Sequence, residues 1–237
     1  MRRHYHKARS TALRRDMELL VFGHGGVPVL AFPTSMGTFY QWEDFGMVKA
    51  LEPQLEEGLN QLFCVDSVDA ESFYNRRASG RSRIRRHMRY ERYILDEVMP
   101  LLQAENPQPF RIIAGTSLGG YHAANLAFRY PQHFGKLISM GGAFDIKRFL
   151  GSYGGPEVKI CCPGDYLTNL QDPSALKAVR ALDIHLAVGE NDFCRASSEA
   201  LASVLASRSI PAALDIWGDG AAHGWPWWQA MIREYIV

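Results

Sequence analysis

The 237-residue chain has almost no net charge: 26 Lys and Arg against 25 Asp and Glu leave a formal +1 at pH 7. So close a balance gives no global attraction to nucleic acid or to an anionic membrane surface. Nor does any apolar run approach the roughly 20 residues of a membrane span. The basic, polar stretch Met1 to Arg15 lacks the apolar centre of a secretory signal, and the expected location is cytoplasmic. Cysteine is scarce. Cys64, Cys161, Cys162 and Cys194 show no C-x-x-C spacing and no nearby His pairs, so no zinc site is expected. They read as reduced packing residues, with the adjacent pair Cys161-Cys162 the one candidate for redox sensitivity. No internal repeat and no linker divides the chain, which predicts a single domain over 1–237.

Glycine is present where it carries information. Gly115-Thr116-Ser117-Leu118-Gly119, with Gly120 behind it, has the form G-x-S-x-G. It lies between the β-branched run Phe110 to Ala114 and the helix-like run Tyr121 to Tyr130, which Pro131 ends. In a strand-turn-helix setting this pattern holds a serine hydroxyl clear of the backbone, and side chains on the flanking residues would obstruct the turn. A phosphate-binding loop is the competing reading, but no Lys follows the glycines. A serine so placed needs a base and a carboxylate, in the order Ser, then Asp or Glu, then His.

The surrounding elements supply both. Possible strands at Tyr5 to Ser10, Met17 to Phe22 and Val27 to Phe32 look like a hairpin-connected entry to a sheet. A helix is expected around Met47 to Leu59, a strand at Gln61 to Val65, and a long helix from Ile84 to Gln103. Strands alternate with helices from residue 61 onward, the mark of a mainly parallel α/β sheet. Lys136 to Met140, Asp183 to Val188 and Ala213 to Trp217 read as its later strands, and Ser197 to Ser207 and Trp225 to Ile236 as helices. Residues 145–180, rich in Gly and Pro, read as an excursion of short helices able to cap the mouth of a site.

Asp192 follows the Asp183 to Val188 strand, where parallel sheets place their crevices, and is the candidate acid. Asp145 is its chief rival and Glu190 a weaker one. His223, in a glycine-flanked loop after the last strand, is the one histidine downstream of that acid. It is the candidate base towards Ser117. Two backbone donors for a developing oxyanion are expected: Leu118 N–H, and an amide of the Thr34-Ser35-Met36-Gly37 loop, Ser35 first with Met36 as the near alternative.

Ser117, Asp192 and His223 with the Pro33 to Gly37 loop resemble the α/β-hydrolase superfamily, and more closely the bacterial "putative esterase" group related to esterase D. The resemblance runs from about residue 5 to the end. It implies the α/β-hydrolase fold, with antiparallel N-terminal strands before a mainly parallel sheet and helices on both faces. It also implies hydrolysis of small-molecule carboxylic esters through an acyl-enzyme, without a cofactor or metal. The superfamily's usual His-Gly oxyanion signature is replaced here by Pro33-Thr34.

Met36, Phe39, Tyr40 and Trp225 are expected to contact an acyl or aryl group, and Trp42, Phe73 and Tyr74 also fall in loops near the crevice. Eight arginines between Arg76 and Arg92 read either as a solvated helix face with ion pairs or as a selector of anionic substrates. Acyl transfer to another acceptor would use the same residues as hydrolysis, and a non-catalytic binding protein could keep the fold.

Overall fold

A computed structural model of the chain describes residues 1–236. Eight strands form one sheet: β1 (Arg3–Ser10), β2 (Arg15–Phe22), β3 (Val27–Phe32), β4 (Asn60–Val65), β5 (Ile112–Thr116), β6 (Lys136–Met140), β7 (Asp183–Gly189) and β8 (Ala213–Trp217). Their order is β1-β2-β4-β3-β5-β6-β7-β8. β1 and β2 pair antiparallel, β2 meets β4 antiparallel, and every later pairing is parallel. This is the α/β-hydrolase fold expected from the sequence, except at the entry. β2 and β3 do not form a hairpin, because β4 lies between them. The turn joining β2 to β3 takes positive φ at Gly23 and Gly26, and a Cβ on Gly26 would stand 2.1 Å from the Leu59 carbonyl oxygen. The bare backbone lets the start of β4 pass underneath.

Side chains on successive strand residues point to opposite faces, so each strand feeds two cores. Leu30, Phe32, Phe63, Val65, Ile113 and Leu137 join one cluster, while Val29, Ala31, Leu62, Cys64, Ile112 and Ala114 join the other. The helices are α1 (Gln41–Asp44), α2 (Met47–Ala50), α3 (Glu52–Glu56), α4 (Gly80–Tyr93), α5 (Met99–Glu105), α6 (Leu118–Arg129), α7 (Pro156–Cys161), α8 (Pro163–Thr168), α9 (Pro173–Arg180), α10 (Arg195–Ser207) and α11 (Trp225–Tyr235). The expected helix at 47–59 is broken into short turns, with Gly46 left-handed before α2 and Pro53 at the start of α3. The expected helix at 84–103 is one rod from α4 to α5 with a π turn at Ile94–Val98. Pro100 contributes to that turn, since it has no N–H for a bond within the helix.

Residues 145–180 form the short helices α7 to α9. They are pinned to the body where Tyr121 Oη donates to the Cys161 carbonyl at 2.8 Å and Arg83 donates to the Phe149 carbonyl at 2.7 Å. All four cysteines are free and buried. Burial pushes the Cys162 thiol up to about 12, which leaves little reactive thiolate in the Cys161-Cys162 pair.

Candidate active site

Ser117 sits between the last residue of β5 and the first of α6, at φ 57° and ψ −120°. A non-glycine residue there is strained by roughly 1–3 kcal/mol and must be held by its surroundings. Ser117 N–H donates to the Met140 carbonyl at 2.9 Å, and Ala143 N–H donates to the Ser117 carbonyl at 3.1 Å, so the end of β6 grips both sides of the turn. The glycines follow from contact. A Cβ on Gly115 would lie 2.1 Å from the Gly119 carbonyl oxygen, one on Gly119 2.2 Å from the Pro33 carbonyl oxygen, and one on Gly120 2.5 Å from Ser139 Oγ. The Pro33 loop is therefore pressed directly against the start of α6.

His223 and Asp192 arrive on neighbouring loops that are laced together. Asn191 N–H donates to the Ala221 carbonyl at 2.8 Å, and Gly220 N–H donates to Glu190 Oε1 at 2.7 Å. His223 Nδ1 lies 2.8 Å from Asp192 Oδ1, and His223 Nε2 lies 2.9 Å from Ser117 Oγ. The carboxylate can only accept, so Nδ1 carries the proton and Nε2 accepts from the serine hydroxyl. Asp192 Oδ1 also takes the Cys194 N–H at 2.7 Å. Asp192 and Ser117 are buried, and the His223 side chain is 13% exposed. Of the rival acids, Asp145 accepts from the Lys147 amide and Glu190 from Gly220; neither meets His223.

The Thr34 to Gly37 loop, the candidate source of the second donor, is tightly held. Thr34 N–H donates to Gln41 Oε1 at 2.8 Å, Met36 N–H to Asp69 Oδ2 at 3.0 Å, and Gly37 N–H to the Thr34 carbonyl at 2.9 Å. Among the described residues the Ser35 amide has no such partner, whereas the Met36 amide, its alternative, is already engaged. The Leu118 amide, at the first position of α6, has no carbonyl within the helix to bond.

Several residues at the site were not singled out from the sequence. Phe193 is 71% exposed, and its ring centroid stands 4.0 Å from that of His223. Its place beside the candidate acid was the available signal. Gly141 has φ +60°, and a Cβ on it would stand 2.7 Å from Asp192 Oδ2 and 3.1 Å from His223 Nδ1. Trp228 meets the His223 ring edge to face at 4.8 Å. Around the mouth, Met36 and Tyr40 are exposed, Tyr40 packs on Phe39, and Trp225 stacks on Phe45 at 4.8 Å. Trp42 and Phe73 are instead core residues, with the Trp42 indole N–H bonded to the Phe32 carbonyl.

The arginines of α4 make mainly structural contacts. Arg83 donates to the Asn75 and Phe149 carbonyls, Arg86 to Glu71 and the Leu13 carbonyl, and Arg81 and Arg85 lie 3.8 and 3.5 Å from Glu157. None of these contacts reaches Ser117, Asp192 or His223. Among the described residues three groups of side chains of metal-ligand type lie close together: His4, His6 and Glu105; His87, Glu91 and Cys161; Asp192, Cys194 and His223. In the second, Asn125 and Arg129 already occupy Glu91. Among the described residues no helix is long and apolar enough to cross a membrane.

The sequence profile of the "Putative esterase" family matches residues 10–235. The chain belongs to that family. It is an esterase-type serine hydrolase on the α/β-hydrolase fold. Among solved structures, the esterase is similar to a ferulic acid esterase at 14% identity and TM-score 0.78, over 98% of this chain and 95% of that one. An S-formylglutathione hydrolase from Agrobacterium tumefaciens matches at 13% identity and TM-score 0.76, over 99% and 92%. A fluorophosphonate-binding serine hydrolase of Staphylococcus aureus, FphF, matches at 16% and 0.65, over 99% and 96%. At such identities the likeness is one of fold. No curated protein matches the sequence.

Proposed function

We propose that the esterase cleaves carboxylic esters with short-chain or aromatic acyl groups through an acyl-enzyme on Ser117. The unbroken hydrogen-bonded chain from Ser117 Oγ through His223 to Asp192 carries the reading. Ser117 Oγ attacks the acyl carbon as its proton passes to His223 Nε2. Asp192 Oδ1 stabilises the imidazolium that forms. The carbonyl oxygen becomes an oxyanion between the Leu118 and Ser35 amides, two donors fixed before the charge appears. The C–O bond to the alcohol then breaks, with His223 returning its proton to the departing oxygen. Water, deprotonated by the same imidazole, attacks the acyl group and releases the acid.

The exposed Phe193 ring, 4.0 Å from His223 between centroids, supports planar or short acyl groups. The test is hydrolysis of p-nitrophenyl esters from acetate to decanoate, and of methyl ferulate, by wild type and Ser117→Ala. Turnover should vanish in the variant while its melting temperature holds, and mass spectrometry of the acid-quenched wild type should find the acyl group on Ser117. Full activity in Ser117→Ala would overturn the reading.

A further inference from the structure

Asp69 lies outside the Ser117–His223–Asp192 chain, yet its carboxylate is divided between two elements of the site. Oδ1 accepts from His122 Nε2 at 3.2 Å, and His122 is on α6, five residues after Ser117. Oδ2 accepts the Met36 N–H at 3.0 Å, in the loop that carries the free Ser35 amide. The Asp69 and His122 side chains are 1% and 3% exposed. The rings of Phe32, Phe73, Tyr90 and Tyr121 stand around His122 at centroid distances between 5.3 and 6.3 Å. The pair is sealed from water.

Two observations give this arrangement a purpose beyond packing. Met36 has φ +60°, in the left-handed region, which a methionine occupies only when its surroundings hold it there. The bond from its amide to Asp69 is one such constraint. Secondly, a buried carboxylate with a polar partner is a poor device for stability alone, since an apolar replacement often serves as well. Asp69 is itself fixed, because its carbonyl accepts the Ser72 and Tyr74 amides at 3.2 and 2.9 Å. The chain of contacts runs from the helix behind the nucleophile, through His122 and Asp69, to the residue next to Ser35.

We propose that Asp69 and His122 are a positioning pair that locks the 34–37 turn so that the Ser35 amide is aimed at the oxyanion. The inference rests on the reading of Ser117 as nucleophile. Neither residue touches substrate. Their effect falls on the transition state, because the amide they aim meets charge that exists only there.

Asp69→Ala should lower kcat by about 10², the scale of a misplaced catalytic group, with KM within about twofold of wild type. Affinity for a trifluoromethyl ketone, which forms an anionic adduct on Ser117, should fall in step with kcat/KM. Asp69→Asn keeps an oxygen for the Met36 amide and should recover most of the rate. Where Asp69→Ala fails to fold, the same split is read in His122→Leu, which removes the support from Asp69. A folded Asp69→Ala or His122→Leu with kcat within about threefold of wild type overturns the positioning role, provided that Ser117→Ala is inactive. If Ser117→Ala is itself active, the reading of the nucleophile has failed first, and the two failures are told apart.

Discussion

Two buried aspartates are each paired with a histidine beyond the carboxyl ends of the parallel strands, Asp192 with His223 and Asp69 with His122, and the two pairs differ in setting and in bonding. The first spans 2.8 Å and the second 3.2 Å. His223 comes from a loop after β8, is partly open to solvent, and has its second nitrogen on Ser117 Oγ. His122 comes from the interior of α6 and is enclosed by aromatic rings. A histidine–aspartate pair is thus no signature of catalysis by itself. In the proposed reaction a proton has to have somewhere to go, and His223 has both the Ser117 hydroxyl beside it and a side open to solvent. His122 has neither, so its bond serves geometry.

Replacing the acids separates the two pairs most sharply. Asp192→Asn should retain the fold and lose roughly 10³–10⁴ in kcat, because the amide favours the wrong imidazole tautomer. Asp69→Ala, acting through one misaimed donor, should lose about a hundredth of that effect to a tenth of it. Equal losses in the two variants would erase the distinction. A smaller effect belongs to the open side of His223. Phe193→Ala should raise KM for methyl ferulate by about tenfold at most while changing acetate hydrolysis little, the scale of one lost apolar contact. An equal change for both esters would mean that Phe193 shapes the His223 loop rather than meeting the acyl group.

The sequence made one pair legible and hid the other for a physical reason. Ser117, Asp192 and His223 each follow a strand at its carboxyl end, so order along the chain and element boundaries were enough to propose them together. Ser35 could be placed on its loop, but the preference over Met36 gains support only when the partners of the neighbouring amides are seen. Asp69 sits in a turn after β4, distant in sequence from both His122 and Met36, and no periodicity connects those three. Trp42 illustrates a choice that only packing decides. A loop aromatic near a crevice suits either its wall or the core, and here the indole N–H finds the Phe32 carbonyl and the ring goes inward. At the entry β1 and β2 pair as expected, but β2 and β3 do not, because strand order depends on which neighbour covers β3, and two glycines let β4 take that place.

A third buried aspartate, Asp66, sharpens the comparison because it has no histidine. Burial pushes its pKa up to about 6 against the opposing pull of Arg15, whose Nη2 is 3.6 Å from Oδ2. The unfolded chain gives up this proton near pH 4. Between about pH 4 and pH 6 the folded form therefore holds a proton that the unfolded form has lost, and stability contributed here falls as pH rises through that window. Above it the ionised side chain remains buried at a cost. Asp66→Asn removes the charge and should raise the melting temperature at pH 8 by a few degrees, with little change at pH 4. Other groups titrate in the same range in both proteins, so the difference between variant and wild type isolates this one. A lower melting temperature at pH 8 would mean that the pairing with Arg15 outweighs burial, and that a guanidinium at 3.6 Å supports a buried carboxylate here as well as His122 supports Asp69.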